Sequence, residues 1–205
     1  MQVVLLPPLF LPPLAYFEAM RRADMAVIDT SMRHDRRMKA VHRTVVSGNS
    51  SPSFLTVPVT PPRGHALWAD IRISAHGEWW RVQKATLATL YGPTPFYSLL
   101  HHDITALLTA DCVGRPVTDL DIDLILAVRR ITGITTRLSV TLDSRLSGRR
   151  DVTVTDLRRH DFYADPQARS VLETLFAEGP QMFAEGPQMF AEGPQMFTEG
   201  PQMFG

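Results

Sequence analysis

Four apolar residues, Val3 to Leu6, open the pattern. So short and wholly hydrophobic a run predicts a strand buried on both faces. Pro7, Pro8, Pro12 and Pro13 follow within seven residues. Their fixed φ and missing N–H exclude both a helix and a central strand. Pro7–Phe17 therefore predicts a stiff, extended crest at the strand's carboxyl end, where ligands bind in open α/β sheets. Leu14–Arg22 takes up helical spacing, with Phe17 and Met20 on the inner side. Met25–Ile28 is a second buried strand, ending at Asp29, Thr30 and Ser31. Strand, helix and strand this close together make a βαβ unit with parallel strands and a right-handed crossover.

Thr44–Val46 and Ser53–Val59 flank a turn centred on Gly48 and Asn49, which reads as a β-hairpin. Trp68–Ile73 alternates and predicts one more short strand. Glu78–Tyr91 is helical, with Trp79, Val82, Leu87, Leu90 and Tyr91 as the apolar stripe and Gly92-Pro93 as the stop. Thr94 caps a second helix with Pro95 at its first position; Phe96, Leu99, Leu100, Ile104, Leu107 and Leu108 face inward. A third helix spans Thr118–Thr132 on Ile122, Ile125, Leu126 and Ile131, and Gly133 closes it. Thr136–Val140 is a last strand. Leu142–Gln167 lacks periodicity and predicts a long loop, and Ala168–Phe176 a final helix. The fold class is thus α/β: an N-terminal βαβ unit and a β-hairpin in a mixed sheet, then a mainly helical C-terminal half. Residues 1–176 read as one domain. Residues 177–205 repeat Ala177-Glu-Gly-Pro-Gln-Met-Phe183 in four seven-residue copies, the last with Thr198 for Ala. Gly-Pro in every copy forbids a continuous helix, so this tail reads as a tandem expansion.

Composition narrows the partners. Apolar residues at 44% and charged residues at 20% suit a globular chain with a full core. A formal net charge of zero over 205 residues argues against nonspecific nucleic-acid binding. The single cysteine, Cys112, excludes an internal disulfide and suits a reducing compartment. The N-terminal apolar run has no preceding cation and is broken by prolines, unlike a signal peptide. No uninterrupted apolar run is long enough for an integral membrane segment. The expected location is cytoplasmic.

Candidate chemistry is sparse. Asp29 sits at the carboxyl end of the second strand, where it can cap a turn or face a ligand. Arg33, Arg36, Arg37 and Lys39, with Arg43 beyond, form a basic cluster whose guanidinium forks match phosphate or carboxylate. Tyr16 is the crest's polar side chain. His76, Glu78, Trp79 and Trp80 lie at a helix start. His101 and His102 are adjacent on a helix, so they cannot share a face as a metal pair does. Asp119, Asp121 and Asp123 fall where helix capping and dipole complementation account for them. No metal site and no cofactor is expected.

Several of these motifs fall in an order that resembles the WbqC-like family of bacterial proteins, associated with surface-polysaccharide (O-antigen, lipopolysaccharide) biosynthesis. The matching stretches are Pro8–Phe17, Val57-Pro58-Val59, Asp70–Ile73, His76–Trp79, Tyr91 with Thr94–Tyr97, and Leu175–Pro180. The chain departs from the family pattern at Pro7, at Val41-His42 beside Arg43, and at Gln83-Lys84.

The resemblance implies a protein of cell-surface polysaccharide biosynthesis, a transferase acting on a nucleotide-activated or otherwise anionic sugar. Asp29 and Tyr16 would be the catalytic candidates, with Arg36, Arg37, Arg43, His76 and Trp79 holding substrate. Other polysaccharide-biosynthesis proteins would be its partners. The departures support the alternative of a non-catalytic binding or scaffold protein on the same framework.

Overall fold

The computed structural model describes residues 1–47, 52–95, 97–140 and 151–159. β1 (Gln2–Leu6), α1 (Leu14–Arg21) and β2 (Met25–Ile28) form the expected βαβ unit, with Leu5 beside Val27 and Leu6 beside Ile28 in a parallel register. The hairpin pairs β3 (Arg43–Ser47) with β4 (Pro52–Thr56). The helices are α2 (Trp79–Tyr91), α3 (Tyr97–Thr105) and α4 (Val117–Ile131). β5 (Arg137–Ser139) and β6 (Thr153–Asp156) complete the described strands.

The α/β class holds, with a division of labour. A four-stranded sheet in the order β5-β2-β1-β6 is parallel throughout, and the antiparallel hairpin is a two-stranded sheet of its own. The parallel and antiparallel pairings expected in one mixed sheet are therefore separate. They meet through the core, where Val46 and Leu55 of the hairpin join Val4, Leu6, Ala26 and Ile28. Tyr16, Phe17 and Met20 of α1, and Leu120, Leu124 and Ile125 of α4, fill the same core. Alternate residues Val3, Leu5 and Val27 point to the sheet's other face and are also buried, as a parallel sheet requires.

The crest is more than a rim. Leu9 and Phe10 are buried, and the Phe10 N–H donates to the Ala40 carbonyl at 2.9 Å, tying the crest to the basic loop. The Thr44 hydroxyl donates to Leu11 O at 3.0 Å and anchors a residue at φ 46°, in the left-handed region that costs an L-residue about 1–2 kcal/mol.

Four expectations change. Leu142–Gln167 is not all loop: Thr153–Asp156 is β6, paired in parallel with Gln2–Leu5. Its alternating Val and Thr residues suit an edge strand but leave no apolar run to notice. Trp68–Ile73 divides, with Trp68–Asp70 in a 3₁₀ turn and Arg72 and Ile73 in single bridges to Pro116 and Val59. Pro116, the partner of Arg72, lacks the N–H that would extend a ladder. In α2, Gln83 takes the buried position beside Trp79 and Leu87, and Val82 faces outward, because a spacing of four residues keeps one face. In α4 the inner stripe is Val117, Leu120, Asp121, Leu124 and Ile125, with Leu126 outside. The expected helix over 168–176, the tail 177–205 and the inward placement of Phe96 and Leu99 lie outside the described residues and side chains.

Candidate functional site

The strand order turns back on itself at β1. The chain runs outward from β1 to β2 to β5, and β6 then returns to β1's other side. Such a reversal opens a crevice at the strands' carboxyl ends. A cavity of about 950 Å³ lies there, within the size range of ligand pockets. Leu9 of the crest, Asp29 after β2, Asp156 to Arg159 at the end of β6, and Arg33, Asp35 and residues 37–40 of the basic loop line it.

The floor is a charge clamp. Arg158 donates through Nε and Nη2 to the two carboxylate oxygens of Asp156, at 2.9 and 2.6 Å. Its Nη1 donates to Asp29 Oδ2 at 2.7 Å. The other Asp29 oxygen accepts the Ser31 N–H at 3.0 Å and the Ser31 hydroxyl at 2.5 Å. Burial alone would raise the pKa of Asp29. The bonds from Ser31 and Arg158 more than offset it and hold the carboxyl below its ordinary value. Between its two carboxylates, Arg158 is in turn pushed further up.

The wall is a preorganised basic loop. The His34 N–H donates to Ala66 O and the Trp68 N–H to Met32 O, each at 2.9 Å, so Arg33 is bracketed by two backbone bonds. The His34 ring lies against Trp68, a fully buried anchor, with centroids 4.5 Å apart. Asp35 accepts the Arg37 N–H at 2.9 Å, fixing the turn before the 3₁₀ segment Lys39–Val41. Arg33, Arg37 and Lys39 line the crevice, and among the described residues none of them forms an ion pair. Backbone rigidity with free cationic heads lowers the ordering cost of binding an anion.

Of the residues chosen from sequence, Asp29 and Arg37 come together here. Arg36 is exposed in the same loop but does not line the cavity. Arg43 lies on the hairpin, with Nε donating to Thr56 Oγ1 at 3.0 Å and its guanidinium 5.2 Å from the Phe54 ring centre. Tyr16 is wholly buried, and its hydroxyl donates to Pro7 O at 3.0 Å; it braces the root of the crest from inside the core. His76 is exposed just before α2, while Trp79 is buried edge-on against Trp80, and neither lines the crevice. Sequence reasoning missed Arg158 and Asp156, because β6 went unread. It also read Asp121 as a helix-start residue. Asp121 is fully buried in α4 with neither carboxyl oxygen hydrogen-bonded among the described residues, and burial raises its pKa well above the ordinary value.

The model of the WbqC-like protein family matches residues 7–178, from the crest through the strand ends that build the crevice. The chain belongs to the WbqC-like protein family. Membership in the WbqC-like family suggests a role related to polysaccharide biosynthesis. No curated protein and no solved structure shows significant similarity to the chain. No helix among the described residues is long and apolar enough to cross a membrane.

Proposed function

We propose that this WbqC-like protein binds an anionic sugar, nucleotide-activated or phosphorylated, in the crevice at the sheet's carboxyl end, as part of cell-surface polysaccharide biosynthesis. One observation carries the reading: three cations without carboxylate partners among the described residues, Arg33, Arg37 and Lys39, stand on a rigid loop over a pocket of ligand size. Phosphate suits guanidinium forks better than an uncharged sugar does. Isothermal titration with nucleoside diphosphate sugars should show binding that weakens with added salt. Arg37→Ala should lose roughly fivefold in affinity, about 1 kcal/mol. No binding of any nucleotide sugar or sugar phosphate would sink the proposal.

Group transfer on the bound sugar is the active form of this reading, and a non-catalytic binding protein is the second. The state of Asp29 favours the second. A carboxylate held below its ordinary pKa by Ser31 and Arg158 is a weak general base. Asp156, paired with the same arginine, is also lowered. Tyr16 is enclosed in the core. Release of free nucleotide from a bound donor, abolished in Asp29→Asn even at saturating donor, would decide for transfer.

A further inference from the structure

In many parallel α/β sheets a phosphate is held by backbone N–H groups of the loop after the first strand and by the helix that follows. Here that loop is depleted of donors, because four of its seven residues, Pro7, Pro8, Pro12 and Pro13, carry no N–H. Pro7 and Pro8 directly follow β1 and carry no N–H. The Phe10 N–H is taken by Ala40 O. Pro13 precedes α1 and caps it with no side-chain hydrogen bond.

Another donor stands at the same place. In the sheet, β1 lies between β2 and β6. Asp29 follows β2 and Arg158 follows β6, so their two side chains, joined at 2.7 Å, together bridge the carboxyl end of β1, a gap of two strand spacings, roughly 10 Å. A guanidinium has five N–H groups, and the two carboxylates take one from each nitrogen. One N–H remains on each terminal nitrogen, on a side chain that lines the cavity and is 31% exposed.

We infer that Arg158 is the anion-recognition residue at the crevice floor, offering a phosphoryl or pyrophosphoryl group N–H donors in which the proline-rich crest is poor. Asp29 and Asp156 are positioning residues that hold the fork across the strand end. The inference rests on the reading of the crevice as an anionic-sugar site. It assigns the ligand's phosphate to the floor and leaves the Arg33, Arg37 and Lys39 wall to the rest of its charge.

The test is isothermal titration of the full chain with inorganic pyrophosphate and with UDP. Arg158→Lys keeps the charge and loses the fork, and should weaken both by at least about tenfold. Arg37→Ala should weaken both less. Asp156→Asn is the discriminating variant. It removes a negative charge from the crevice, so a site that works by net charge alone would bind more tightly. A positioned fork predicts weaker binding, by roughly threefold to fivefold. Asp156 is half exposed, so this variant should remain folded, which an unchanged urea midpoint checks. Full affinity in Arg158→Lys, or tighter binding in Asp156→Asn, overturns the assignment. If both variants keep affinity while Arg37→Ala loses it, the inference falls and the anionic-sugar reading stands. If the wild-type chain binds neither probe, nor any nucleotide sugar or sugar phosphate, both fall.

Discussion

Asp29 and Asp121 are buried almost equally, at 3% and 0% exposure, yet they are opposites electrically. Asp29 closes β2 and meets Ser31 and Arg158, which hold it ionised. Asp121 lies in the core between the stripe residues of α4, near Tyr16, and it meets no donor among the described residues. Exposure is the same and company is not. An ionised carboxylate in the interior survives only where donors have been placed for it; elsewhere the proton stays on. The crevice is thus a built polar region, and the core around Asp121 is an apolar one that disfavours the charged form of its acid.

The most forceful way to erase the difference is Arg158→Met, which leaves Asp29 buried with Ser31 as its described partner. Removing one member of a half-buried pair leaves Asp29 short of a charged donor, so the loss should be about 2 kcal/mol in urea unfolding at pH 7. At pH 3, with Asp29 more nearly neutral, the loss should shrink.

Acidity separates the two aspartates next. The lowered pKa of Asp29 makes its stabilisation present above the unfolded carboxyl value, about 4, and lost as pH falls through the folded value. The raised pKa of Asp121 has the reverse sign. Its contribution is full below about 4 and lost as pH rises through the folded value. Asp121→Asn should therefore gain on the wild type as pH rises above about 4, by up to about 1.4 kcal/mol per unit until the folded value is passed. Parallel stability curves for the two proteins would show that Asp121 is not protonated.

Smaller effects follow. Tyr16→Phe removes the bond to Pro7 O and should cost about 1 kcal/mol, read as a lower urea midpoint. Arg37→Ala, at an exposed position on the crevice wall, should change stability by less than about 0.5 kcal/mol, whatever it does to anion binding.

What sequence could reveal followed from how strongly each element is patterned. The βαβ unit was legible because Val3–Leu6 and Met25–Ile28 are unbroken apolar runs and the prolines between them exclude other structures. That placed Asp29 at a strand end, and the basic loop beside it. β6 was illegible because an edge strand of Thr and Val needs no apolar run, and Arg158 was lost with it. Its faint signal was the β-branched run Val152–Thr155. Asp121 was misassigned through helix register. Val117, Asp121, Leu124 and Ile125 keep one face, but a stripe drawn through Ile122 and Leu126 turns the acid outward. Tyr16 illustrates the converse: a polar tip on a crest of apolar residues looks like chemistry, and here it is a brace.

The clamp joins Asp29 to Arg158 across 129 residues of sequence. Contacts that distant form only after a large loss of chain entropy, and so they come late in folding. β1 and β2 can pair early, through local contacts, while the floor of the crevice is still absent. Competence to bind would then arrive with the docking of β6, so a chain stalled before that step would carry the family's opening motif and a half-sheet but no anion anchor. Refolding followed by a bound probe should lag refolding followed by the signal of the helices.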